Sequence, residues 1–219
     1  MQQIKGAQPY VTHSTHPWCP FSTWLRCVWL PQYHEAKILL EKFIQDIDAA
    51  HHVIHTPSLL PMMNETYYCL SQHGQVKSGS IILLLGIFAS ATHCWMRHDE
   101  QRGLFSTAAE ANSYSSLWIK TIEDVIDIAH RTTSVSVEGI QGICIAMFPL
   151  IDVEGFSRRC KSLVSMALLL ARELGLHQLD HPSNSKVANT ARAEIGRRVW
   201  WYLVATDWCV VIVDLTPSD

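Results

Sequence analysis

The sequence predicts an all-α fold, a multi-helix array of packed helical hairpins. Three observations carry that expectation. Apolar residues recur at the helical period in successive stretches between residues 34 and 208. One stretch, Ser80 to Ala91, is apolar nearly all round, as a helix enclosed by other helices must be. The alternation of a half-buried strand is absent except in "CVVIVDL", residues 209–215, which reads as a strand candidate.

Residues 1–30 read as irregular. "HSTHPWCPFSTWLRCVWLP" mixes prolines, aromatics and cysteines without period, and Pro31 closes it. "HEAKILLEKFIQDIDAA" then places Ala36, Leu39, Leu40, Phe43, Ile44 and Ile47 on one stripe, with Glu35, Lys37, Glu41 and Lys42 off it. Lys37 and Glu41 are four apart, a surface pair. Pro61 suits the first turn of the next helix, which runs through "MMNETYYCL". "SIILLLGIFASATHCW" belongs inside the bundle. "SLWIKTIEDVIDIAH" is amphipathic, with Leu117, Ile122, Val125, Ile126 and Ala129 inward and Lys120, Glu123, Asp124 and Asp127 mostly wet. Ser136 is placed to cap "VEGIQGICIAMFPLI", with Glu138 favourable at the positive helix end, and Pro149 should kink or end that helix. In "SRRCKSLVSMALLLARELGLH", Cys160, Leu163, Val164, Ala167, Leu170, Ala171 and Leu174 form the inner face. Gly175 follows as a left-handed stop and Leu176 folds back on the last turn. "HPSNSK" is a loop, and "AEIGRRVWWYLVATDW" is the last helix.

Composition excludes several classes. The 219 residues suit one domain or a little more, and 48% apolar against 17% charged residues suffices for a sizeable core. Net charge is −3, and no basic run supplies the footprint of a nucleic-acid surface. The longest apolar run is shorter than the ~20 residues that cross a bilayer. The N-terminal residues lack a signal-peptide apolar core, so an intracellular location is expected. The seven cysteines form no C-x-x-C unit and are expected to be small buried apolar residues.

The chemistry-bearing residues read mostly as structural. His51, His52 and His55 lie at a helix exit before Pro57, where ligand geometry is hard to hold, and no glutamate sits between them as in a zinc-protease helix. His93-Cys94 and His98-Asp99 form a second group, but a closed zinc site needs four ligands at tight spacing. No nucleophile elbow, phosphate loop or dinucleotide fingerprint is present, and a Cys160–histidine pair is not specified by spacing. No cofactor or metal is expected, and no enzyme. In "EIGRRVWWYLVATDW", apolar side chains cover most of the circumference, so the helix is expected to be buried. Glu194 and Arg198 can pair. Arg197 and Arg198 either lie at the exposed helix start or meet acids inside, with Glu173 and Asp207 available. At least one buried, paired arginine is the favoured arrangement.

These segments together resemble the fungal-specific transcription factor domain, the middle homology region of zinc-cluster transcription factors. The likeness rests on an apolar helix containing Gln141 and on the A-x-x-x-A-x-x-L-G-L-H helix (Ala167, Ala171, Leu174, Gly175, Leu176, His177). Its third part is E-x-x-R-R-x-W-W with a later aspartate: Glu194, Arg197, Arg198, Trp200, Trp201 and Asp207. "LPQYHEAKILLEKFIQDIDAAHHVIHTPSLLPMMNETY" resembles the family's opening segment. The resemblance covers about Leu30 to Trp208. It divides the chain into an N-terminal segment 1–30, a partial regulatory domain 31–208 and a divergent tail 209–219.

The resemblance implies a nuclear transcription regulator that acts through protein contacts, with a full-length regulator or itself as partner and with no membrane. The alternative is a small helical metal-binding protein or enzyme using the His/Cys groups. Three departures stand out. Leucines fill the Ala167–Ala171 interval where many members carry an arginine. The two-zinc, six-cysteine DNA-reading module is missing, so no direct nucleic-acid contact is expected. Members also continue past the arginine-tryptophan helix, whereas this chain ends eleven residues after Trp208. A C-terminally truncated copy is therefore expected, with apolar surface left open to association.

Overall fold

The computed structural model describes residues 8–11, 27–132, 136–184 and 189–215, with side chains over 28–129, 136–184 and 189–210. The architecture is all-α apart from one antiparallel strand pair. β1 (Gln8–Val11) lies against β2 (Cys27–Leu30), with Gln8 opposite Leu30 and Val11 opposite Cys27. The irregular reading of 1–30 is corrected to that extent. Val28 and Leu30 are buried and Trp29 between them is exposed, the two-residue period of a strand.

Helices α1 (Tyr33–Asp46), α2 (Asp48–His51), α3 (Leu59–Ser71) and α4 (Ser78–His93) follow. After them come α5 (Ala108–Thr132), α6 (Val137–Glu154), α7 (Arg158–Glu173) and α8 (Ala191–Leu215). Every residue of α4 from Gly79 to Thr92 is buried, as its all-round apolar sequence demands. It is the hub, packed against α6, α5, α1 and α3; α7 stacks on α6, and α8 closes over α7 and α6. The Tyr67 hydroxyl on α3 donates to the Pro31 carbonyl at 2.8 Å, tying α3 to the lead-in of α1.

The α4–α6 approach is set by glycine. A Cβ on Gly142 would collide with the Ile82 carbonyl, and one on Gly86 with the Gly142 carbonyl. Backbones that close also accommodate Pro149, around which α6 continues to Glu154 instead of ending. Proline leaves the carbonyl four residues back without its helical donor. That carbonyl, Ile145, accepts instead from the Ser90 hydroxyl of α4 at 3.2 Å.

Other expectations need correction. "CVVIVDL" continues α8 as helix, not strand. α5 starts at Ala108, and its inward face uses Trp118 and Ile119 while Leu117 is exposed. Leu174 is also exposed, because α7 ends at Glu173 and the chain turns away at Gly175. Ser136 holds the cap position of α6 but makes no capping hydrogen bond; its hydroxyl lies against Gly79, where a Cβ would collide with it. On α1, Lys42 and Glu35 are buried, contrary to the amphipathic reading. Glu35 turns back to accept the Gln32 N–H at 2.7 Å, the acidic half of a helix-start exchange.

Candidate functional site

The signature residues converge where the turn after α7 meets the start of α8. Gly175 adopts φ +71°, a conformation that favours glycine, and its N–H bonds the Arg172 carbonyl at 2.9 Å. Leu176 thereby folds under α7 and is buried. Leu176 and Leu179 press on Gly196, where a Cβ would stand 2.7 Å from Leu179. The mid-helix glycine is thus what lets the turn lie flat on α8. The His177 ring is exposed and tilts against Trp200, centroids 5.7 Å apart.

Arg197 is three-quarters buried and bonds Asp180 at 2.7 Å and Glu194 at 3.2 Å; Arg198 is half exposed and bonds Glu194 at 2.9 Å. The expected Glu194–Arg198 pair and one largely buried arginine are present. The acids that meet them are Asp180 and Glu194, not Glu173 and Asp207, because the arginines point back to the turn and helix start. Hydrogen bonds from Arg198 and then Arg197 hold the Glu194 carboxyl below its usual range, and the Asp180 hydrogen bond raises Arg197.

The helix is not buried all round. Val199 and Leu203 face the core, Trp200 is half-buried, and Trp201 and Trp208 are 63% and 68% exposed. Asp207 lies half-buried on the flank. The Tyr202 hydroxyl donates to the Cys144 carbonyl of α6 at 3.3 Å. Gln141 sits apart, buried on α6, donating to the Val53 carbonyl at 2.6 Å and so holding the loop before α3. The signature residues therefore act as braces with an apolar outer stripe, and among the described residues they gather no nucleophile, base or ligand set.

The histidine groups are dispersed. His51 is buried against Phe148 (5.6 Å) and Tyr202 (6.2 Å), and burial lowers its pKa. His52 turns left-handed at φ 52°, and it and His55 are exposed. His93 meets Asp152 at 3.0 Å. Among the described residues Asp46, His98 and Asp99 bring ligand atoms within 4.8 Å of one another. The Lys42 ammonium already lies 2.6 Å from Asp46 and 2.6 Å from Asp99, in the place a metal cation would need. Arg102 (3.0 Å) and the Met96 N–H (3.0 Å) complete the Asp99 shell. The trio is a saturated ion network and a poor metal site. Cys144 and Cys160 are fully buried and burial raises their thiol pKa values, opposite to activation. Cys19 and the Cys27 side chain lie outside the described residues.

Sequence reading missed Lys42–Asp99, Gly196 and Tyr202. Lys42 and Asp99 are 57 positions apart, and no local period signals such a pair. Gly196 was detectable as a glycine inside a helix, which often marks a close approach.

No helix among the described residues is long and apolar enough to cross a membrane. Residues 29–213 match the fungal specific transcription factor domain family. The probable transcription factor lepB of Aspergillus flavus is 34% identical over 191 residues, 84% of this chain and 34% of that protein. The transcription factor TAS2 of Pyricularia oryzae is 30% identical over 183 residues, 83% of this chain and 24% of that protein. The agnestins biosynthesis cluster transcription factor AgnL11 of Paecilomyces divaricatus is 27% identical over 186 residues, 83% of this chain and 27% of that protein. The chain thus spans a quarter to a third of the length of these relatives. No solved structure matches.

Proposed function

This chain belongs to the fungal specific transcription factor domain family, and from that premise we propose that it is the regulatory, protein-contacting module of a nuclear transcription regulator. It works through its surface, without catalysis and without its own DNA contacts. The observation that carries this reading is the match over residues 29–213, together with relatives that are themselves named transcription factors. The geometry supports it. Arg197, Arg198 and Arg159 are engaged by carboxylates instead of lining an open basic face. The buried thiols are pushed away from the reactive thiolate. The outer stripe of α8 offers aromatic surface, the chemistry enriched where proteins meet. The partner is a protein, either a full-length regulator or a second copy.

The test is to tether the full chain to an unrelated sequence-specific DNA-binding module in a fungal nucleus and measure a reporter beneath its operator. Transcription should rise or fall relative to the DNA-binding module alone. A folded, nuclear fusion that leaves the reporter unchanged would overturn the reading.

A further inference from the structure

We propose that residues 47–58 form a releasable strap across α6 and α8, latched by the buried His51 ring and opened by a proton. The segment runs from the end of α1, through α2, to the start of α3. Its backbone hydrogen bonds stay local: the Ile47 N–H to the Phe43 carbonyl of α1, Ala50 to Ile47, His52 to Asp48 and Ser58 to His55. The Thr56 hydroxyl donates to the Asp48 carboxylate at 2.5 Å and braces the segment against itself, so that it moves as a unit. Among the described residues, one hydrogen bond ties it to the bundle beyond α1, from the Gln141 amide to the Val53 carbonyl at 2.6 Å. The rest of the grip is burial, of Ile47, Val53, Ile54 and the His51 ring.

The ring is the weak point of that grip. It packs on Phe148 of α6 (5.6 Å) and Tyr202 of α8 (6.2 Å), with its Nε2 enclosed and unpartnered. A cation formed there loses its hydration and gains no hydrogen bond. The surrounding groups do not make up the loss. On α2, Asp48 favours the cation, but its carboxylate already holds Thr56, and His52 opposes the charge. On α8, burial keeps the Tyr202 hydroxyl neutral, and its proton goes to the Cys144 carbonyl. On α6, burial keeps the Cys144 thiol neutral. On α4, His93 meets the same Phe148 ring (6.0 Å) and is held by Asp152 at 3.0 Å. Desolvation is the largest influence on His51 and pulls its pKa below 6.5. The closed strap therefore binds the proton less readily than the open one, and it stays shut above about pH 6.5 and opens progressively below. Swinging outward hydrates the ring. It also frees His52 from φ 52°, a conformation that an L side chain holds at a cost. Opening bares Val53, Ile54 and the stretch of α6 around Gln141 that they cover.

This inference stands apart from the transcriptional reading, and its test needs no reporter. The full chain is labelled with deuterium at about pH 7.5 and about pH 5.5, with times scaled to the intrinsic chemical rate at each pH, and read by peptide mass. Peptides carrying the Ala50, His52 and Ser58 amides should lose protection by up to about tenfold at the lower pH, the limit that one proton sets over one pH unit. Peptides of α4 should keep theirs. His51→Phe should hold the strap equally protected at both pH values. Gln141→Leu should loosen it at both by removing its polar tie to α6, and should retain the acid step. Strap peptides indifferent to acid, strap and α4 loosening together, an acid step undiminished in His51→Phe, or a Gln141→Leu strap no looser than wild type would overturn it.

Discussion

Lys42 is among the largest fully buried side chains of the described residues, and its charge is held by carboxylates at two distances of 2.6 Å. Burial alone would lower its pKa; the hydrogen bonds it donates to Asp46 and Asp99 overcome that and raise it. Asp99, itself fully buried, has its pKa lowered despite burial, by Lys42 first, then the Met96 N–H and Arg102. Removing Asp99 leaves the buried ammonium with Asp46 alone, whose side chain is 40% exposed. Asp99→Leu should therefore cost up to about 3–5 kcal/mol of unfolding free energy, the upper end being that of a fully broken buried pair. The double change Lys42→Met with Asp99→Leu should recover most of it, because the stranded charge goes with its partner. Urea melts of the two variants decide the point: equal losses would show that Asp99 acts by packing and not by charge. The surface pair Lys37–Glu41, 3.9 Å apart and half exposed, should read near zero in the same experiment.

At the scale of elements, the α4–α6 contact shows what was legible in the sequence and what was not. The apolar run 80–91 announced a central helix, because no amphipathic alternative existed for it. The amphipathic stripe on α1 and the glycine stop of α7 were equally plain, since local periodicity and one backbone preference determine them. That α6 does not end at Pro149 was not legible, because the compensation comes from Ser90, 59 positions away, and no window along the chain contains both. Lys42 was assigned to the wet side for the same reason: its partner Asp99 lies in a different segment. The strand-like "CVVIVDL" continues α8, because extending a helix that is already nucleated fixes fewer dihedrals per hydrogen bond than starting a new element. The acid that meets Arg197 was not legible in the sequence, since Asp180 reaches it only after the Gly175 turn reverses the chain. A consequence is testable on α6. Gly142→Ala forces a methyl into the Ile82 backbone, which cannot swing aside as a side chain can. It should cost about 1–3 kcal/mol by overpacking, against the helix-propensity gain of up to ~1 kcal/mol that alanine brings at an open position. Gly103→Ala and other loop changes are no control here; an exposed helical site such as Ser116→Ala is, and thermal melts should separate the two by sign.

For the molecule as a whole, α2, α6 and α8 meet around one imidazole, and that makes the assembly acid-sensitive. His51 packs its ring on Phe148 and Tyr202, and its Nε2 is buried with no hydrogen-bond partner. Desolvation pulls its pKa below 6.5; the Asp48 charge pulls the other way and His52 adds to the depression. The folded chain therefore binds this proton less readily than the unfolded chain does. Stability is full above about pH 6.5 and declines as pH falls below it, levelling once the depressed folded value is passed. One group imposes a slope of at most about 1.4 kcal/mol per pH unit. Below about pH 4.5 the carboxylates join, since Glu194 and Asp99 also have lowered values and their stabilisation is lost as they protonate. The sites are separable because the windows do not coincide. His51→Phe fills the same aromatic contact without a titrating nitrogen, so it should flatten the stability profile between pH 6.5 and 5 and leave the steeper fall below pH 4.5 in place. Urea melts at half-unit pH steps measure this directly. An unchanged slope in His51→Phe would show that the ring is solvated when charged, and that the α2–α6–α8 junction opens at little cost.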